Sequence, residues 1–142
     1  MLIAFFTAMF LMGGGAAWQM PELTKPIEQH VTNVAQRKTA LDARSRMNEA
    51  VKEYGKFAAA TGKQSIALIR NYDATEAQFA ALTTRLDSGR VALRQKLLAD
   101  RSAMRNAMTA DEWTAVFAAA RATADSAAAK AAAKQASQEK KP

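Results

Sequence analysis

Residues 75–108 read TEAQFAALTTRLDSGRVALRQKLLADRSAMRNAM, and the spacing of the large apolar side chains in this stretch decides the fold class. Phe79, Leu82, Leu86, Leu93, Leu97, Met104 and Met108 recur at helical intervals. At about 100° per residue all of them fall within a stripe roughly 80° wide. A break at Asp87-Ser88-Gly89 would have no reason to preserve that phase, so one helix is expected from Glu76 to about Met108. Such a rod is about 50 Å long, and Gly89 inside it costs about 1 kcal/mol relative to Ala.

This helix and the next one open alike. Thr75-Glu76-Ala77-Gln78-Phe79-Ala80-Ala81-Leu82 aligns with Thr109-Ala110-Asp111-Glu112-Trp113-Thr114-Ala115-Val116 as T-x-x-[QE]-[FW]-x-A-[LV]. Each octet is expected to form a capping box. The Thr hydroxyl accepts from the backbone N–H three residues on, and the Gln78 or Glu112 side chain reaches back to the Thr N–H. Asp111 and Glu112 also sit where the helix dipole favours negative charge. The second of these helices is expected to run from Ala110 to about Ala128, with Trp113, Val116, Phe117, Ala120 and Ala124 inward.

The remainder of the composition agrees. The chain has 142 residues, an Ala-rich background, three Pro, six Gly, one His and no Cys. Little β-branched or aromatic content is available for a sheet, and disulfides, thiolate nucleophiles and Cys-containing zinc sites are excluded. The fold class is therefore all-α, with long amphipathic helices forming a helical hairpin or small bundle, expected to dimerise.

Upstream, Pro21 and Pro26 mark the start of a long helical stretch, since Pro is tolerated in a first turn. Ile27, Val31, Val34 and Leu41 share one side of it. Ala40, Ala43, Met47, Ala50, Val51, Tyr54 and Ala58 lie nearly opposite, so the buried face changes near Asp42, through a kink or a change of partner. Thr61-Gly62-Lys63 is the expected stop, because Gly accepts the left-handed conformation that closes a helix, and a short helix over Gln64–Asn71 follows. The domain organisation is thus 1–17 as signal peptide or anchor, 18–26 as linker, 27–126 as helical domain and 127–142 as a fraying Ala/Lys-rich tail.

No charged side chain precedes Glu22. The apolar run Leu2–Met12 is short for a membrane span, which needs about 20 apolar residues. Followed by Gly13-Gly14-Gly15-Ala16-Ala17, it fits the core and cleavage region of a secretory signal, with the mature chain starting near Trp18 and residing in the periplasm. Two alternatives stand: an uncleaved inner-membrane anchor over Leu2–Trp18, with Trp18 in the interfacial belt, and a buried cytoplasmic helix.

The net charge of +7 is unevenly placed. Residues 36–70 hold eight basic and three acidic groups, residues 71–128 balance seven against seven, and the tail from 129 carries four Lys against Glu139. Basic segments suit nucleic acid, an anionic membrane or acidic clients. No aromatic interleaving or reader motif accompanies Arg37 to Arg70, so nucleic acid is not expected.

Two helix-opening T-x-x-[QE] motifs in a small, Cys-free, basic, helical chain behind a signal-like segment resemble the Spy/CpxP-type periplasmic proteins, marked by a repeated LTxxQ. The resemblance covers about residues 27–125. Here Ala74 precedes Thr75, Met108 precedes Thr109, and Glu112 replaces Gln. The resemblance implies a curved helical-hairpin dimer that shields unfolded envelope proteins without ATP, or a stress- or metal-sensing relative.

Arg90, Arg94, Arg101 and Arg105 edge the apolar stripe and are the candidate client-binding residues; the plainer alternative is that their stems cover the stripe edge with the heads in water. Thr75, Gln78, Thr109 and Glu112 are the structural caps. Lys38, Lys52 and Lys56 share a solvated face. His30, near Glu28 and Met20, lacks a second ligand at i+3 or i+4. Met47, Met104 and Met108 could form a soft metal site, but helical spacing favours packing. Trp113 and Phe117 read as a core anchor. No nucleophile–base pair can be assembled, and neither catalysis nor a cofactor is expected. The class is a binding module for non-native envelope proteins; the rival is a membrane-anchored helical subunit that packs on a membrane-complex partner.

Overall fold

The computed structural model describes residues 21–139, with side chains through Lys134 and at Ser137. The first twenty residues, and with them the expected signal or anchor, Trp18 and Met20, lie outside the described residues. Four helices and no strand occur in the described chain: α1 Thr24–His30, α2 Val34–Arg70, α3 Glu76–Asn106 and α4 Ala110–Glu139. None is long and apolar enough to cross a membrane.

The break between α1 and α2 falls at residues 31–33, and it corrects the expected continuous helix from Pro26. Asn33 Oδ1 accepts the N–H groups of Ala35 (3.0 Å) and Gln36 (3.1 Å), satisfying donors at the start of α2. Arg37 closes the other side, donating Nε to the Val31 carbonyl at 2.8 Å and Nη2 to that of Thr32 at 3.2 Å. Because the phase resets here, Ile27 and Val31 are buried with α1 while Val34 is exposed and Leu41 half-buried. Pro26 sits in the first turn of α1 and is itself buried.

The expected stop at Gly62 is also corrected, for α2 runs through it to Arg70. Thr61 is buried and its hydroxyl donates to the Phe57 carbonyl at 2.9 Å, within the helix. The real stop is Asn71, whose Oδ1 accepts the Asp73 N–H at 3.1 Å and turns the chain toward Thr75. Between Glu76 and Asn106, α3 passes Gly89 without interruption, as expected from its stripe.

The chain divides into two compact units. The first comprises residues 49–95 of the described chain. In it Ala50, Val51, Thr61 and Leu93 are buried, with Tyr54, Phe57, Leu68, Leu82 and Leu86 half-buried. Phe57 of α2 lies against Gly89 of α3, Arg85 stands over the Phe57 ring at 5.6 Å from its centroid, and Arg85 Nη1 donates to Gln64 Oε1 at 3.2 Å. Phe79, expected in the stripe, is exposed.

The second unit comprises residues 21–48 and 96–139 of the described chain. Short α1 packs on α4. Leu23, Ile27 and Val31, one helical turn apart, supply its buried side; Ala40, Ala43 and Met47 come from α2, Leu97 and Met104 from α3, and Val116 and Ala120 from α4. Ala107 and Met108 are buried in the turn between α3 and α4. Ala40, Ala43 and Met47 here, and Ala50 and Val51 in the first unit, lie on the face expected from the sequence of α2. Ala124, expected inward, is exposed, and α4 continues as helix beyond Ala128 to Glu139 on Ala-rich sequence of high helix propensity.

Candidate functional site

The two helix starts differ once their hydrogen bonds are laid out. At Thr109 the box is complete: Glu112 Oε2 accepts the Thr109 N–H at 2.9 Å, and Thr109 Oγ1 accepts the Glu112 N–H at 3.2 Å. At Thr75 half of it forms, with Gln78 Oε1 accepting the Thr75 N–H at 2.9 Å while the Gln78 N–H goes to the Thr75 carbonyl at 3.1 Å.

Glu112 does more than cap. Its second oxygen accepts the Thr32 N–H at 3.1 Å and the Thr32 hydroxyl at 3.3 Å, tying the start of α4 to the turn between α1 and α2 inside the second unit. These hydrogen bonds, led by that from the Thr109 N–H and followed by that from Thr32, hold the Glu112 carboxyl below its ordinary pKa. Sequence spacing marks Glu112 as a cap partner. The link to Thr32 was not legible, although Asn33, a favoured N-cap residue before a helical run, was a usable signal for the turn itself.

The four arginines occupy different surroundings. In the first unit Arg90 lies 3.5 Å from Asp87 as an i, i+3 pair, and Arg94 is exposed with no ion pair among the described residues. Val91 stands beside them 54% exposed. In the second unit Arg101 is half-buried and places its guanidinium 5.5 Å from the centroid of the Trp113 ring, which is tilted against Phe117 at 4.6 Å. Arg105 is exposed, and so is Leu98 at 54%. Each unit by itself thus shows a large aliphatic side chain in water with arginines at helical spacing along α3.

His30 ends α1, half-buried, and among the described residues no group of three or more His, Asp or Glu side chains could hold a metal ion. Met47, Met104 and Met108 are all buried. Lys38 pairs with Asp42 at 2.9 Å, and Lys52 and Lys56 are exposed. Arg46 pairs with Asp100 at 2.6 Å.

Arg44 is a group the sequence did not single out. It is 4% exposed, donates Nη2 to the Pro21 carbonyl at 3.0 Å, and keeps Nε and Nη1 buried without acceptors. Burial lowers its pKa and the nearby Glu22 carboxylate opposes that. A shallow groove of about 520 Å³ runs past Leu68, Gln78, Leu82 and Arg85 in the first unit. Its walls are apolar and amide side chains, with Arg85 as the charged residue among them.

Compared with known proteins, the chain matches no family model, no curated protein and no solved structure.

Proposed function

We propose that this chain is a non-enzymatic binding protein of the cell envelope that holds non-native proteins without ATP, in the manner of the Spy/CpxP-type proteins its helix starts resemble, and that it works as a dimer of helical hairpins. The observation that carries the reading is the mixed surface of α3. Val91 with Arg94 one turn on in one unit, and Leu98 with Arg105 two turns on in the other, set half-exposed aliphatic groups on the same helix as cations that have no ion pair among the described residues. An unfolded chain offers both backbone carbonyl or carboxylate acceptors and loose apolar groups. Exposed arginine acts first and over distance, and short-range apolar contact follows. Neither contact needs a particular client sequence.

The four arginines do not contribute alike. Arg94 and Arg105 are the client-capturing pair, Arg90 is partly neutralised by Asp87, and Arg101 is chiefly a stacking partner of Trp113.

The test is suppression of aggregation of several unrelated denatured proteins, without nucleotide. The unaltered chain suppresses at stoichiometric amounts, and Arg94→Gln with Arg105→Gln weakens suppression and its salt sensitivity, because exposed charge is screened beyond about 8 Å at physiological ionic strength. Absence of suppression at low salt, together with co-purification of one defined membrane partner, marks a structural subunit instead. Export belongs to the same proposal. The natively expressed protein loses about 17 residues, as a signal of this form requires, and appears in the soluble periplasmic fraction; a full-length mass in the membrane fraction contradicts that.

A further inference from the structure

The last four turns of α2 carry a second exposed surface, separate from the α3 arginines and lying wholly in the first unit. Lys56, Lys63 and Arg70 recur at seven-residue intervals, so on a helix they drift only about 20° per step and form one line about 21 Å long. All three are exposed, none has an ion pair among the described residues, and no acidic residue occurs between Glu53 and Asp73. Beside that line Ala59, Ile66 and Ile69 occupy an adjoining sector of about 80°. Ile66 is 52% and Ile69 70% exposed, and Tyr72, just past the helix, is wholly exposed. Thr61, Phe57 and Leu68 lie on the opposite side of α2 and supply its inward face. The Ile66–Ile69 strip is therefore left over after the helix has met its partner in the unit.

We infer that this strip docks the protein on an anionic phospholipid surface. The complementarity is of charge and of shape. Three unpaired cations along one edge match a layer of phosphates, while two isoleucines and a tyrosine can enter the boundary between headgroups and acyl chains. Lys stems lie over apolar surface with their ammonium groups outward, and tyrosine favours that same boundary. A second copy of this strip brings no carboxylate to the cation line, since none occurs between Glu53 and Asp73. A folded protein partner would have to cover the ammonium heads and Tyr72 together, whereas a lipid surface accommodates both in place. The strip is small, so binding is reversible and governed by charge. The inference does not depend on the chaperone reading, since none of its residues lies on α3.

A local probe tests it. The chain has no Cys, so Ile69→Cys carries a single environment-sensitive fluorophore in the full chain. Vesicles of phosphatidylglycerol with phosphatidylcholine shift its emission to the blue, vesicles of phosphatidylcholine alone do not, and rising salt reverses the shift. Lys56→Gln, Lys63→Gln and Arg70→Gln together weaken the response on the order of a hundredfold, each cation near such a surface being worth roughly fivefold. Far-ultraviolet circular dichroism checks that the triple variant keeps its helicity, and the salt titration of the otherwise unaltered chain reads the same charge dependence without it. A chain that sediments with anionic vesicles while the label at position 69 stays silent overturns the inference, because another segment is then the one that binds. So does an equal response on neutral vesicles, or a response to single-stranded DNA or polyglutamate with none to vesicles.

Discussion

Glu112 joins two tasks in one carboxylate: it closes the helix start at Thr109 and it holds the N–H and hydroxyl of Thr32. Because its folded pKa lies below the ordinary value, the stabilisation is complete above the carboxylate range of about 4.3 and is lost as pH falls through the folded pKa. The difference in Tm between the unaltered protein and Glu112→Gln is therefore expected to shrink as pH drops below about 4.3, the comparison cancelling Glu22, which is also depressed through its hydrogen bonds with Thr24. A Tm difference independent of pH would contradict this. The same bonds rank the caps. Thr109→Ala costs about 1 kcal/mol in urea melts and Thr75→Ala much less, because only the Thr109 hydroxyl accepts a helix N–H. Equal costs would mean that the Thr75 hydroxyl caps too. Arg101→Gln is expected to lower stability by about 0.5–1 kcal/mol through loss of its stacking on Trp113, while Arg94→Gln and Arg105→Gln leave the melt unchanged. If Arg101→Gln melts like the parent, the guanidinium–indole contact carries no stability.

Two glycines in the helices of the first unit separate intrinsic propensity from packing. A Cβ on Gly62 meets nothing within 4 Å, whereas a Cβ on Gly89 runs into the Phe57 ring, itself covered by Arg85. Gly62→Ala should raise stability by up to about 1 kcal/mol, and Gly89→Ala should lower it although the helix-propensity gain is the same. Opposite shifts in thermal melts check the pairing of Phe57 with Gly89; two increases would contradict it. These elements also show what a one-dimensional reading reaches. The stripe Leu82–Met108 and the run Ala40–Val51 were legible because a buried face leaves a period of 3.6 in the sequence. Gly62 misled because a glycine that closes a helix and one tolerated on an open face look alike locally. The break at residues 31–33 leaves no mark on the apolar period: Asn33 is its local signal, and its other fasteners are Arg37, one turn into α2, and Glu112, eighty residues away.

For the molecule as a whole, the legible part of the candidate surface was its composition, and the illegible part was how each cation is engaged. Arg90, Arg94, Arg101 and Arg105 are equivalent in spacing, yet one pairs with Asp87, one lies over the Trp113 ring and two have no ion pair among the described residues. The Lys56–Lys63–Arg70 line was hidden for the related reason that exposure depends on which side of α2 its partner covers. The buried side chains of both units account for the fold, and the exposed aliphatic groups and arginines of α3 carry the proposed activity. That activity requires a protein that distinguishes a client's unfolded chain from its folded form. Fluorescence anisotropy of one labelled client, titrated in both forms without nucleotide, measures this most directly. The unfolded form is expected to bind, more weakly as salt rises and more weakly to the Arg94→Gln, Arg105→Gln variant, while the folded form does not bind. Equal affinity for both forms, or none for either at low salt, would contradict the account.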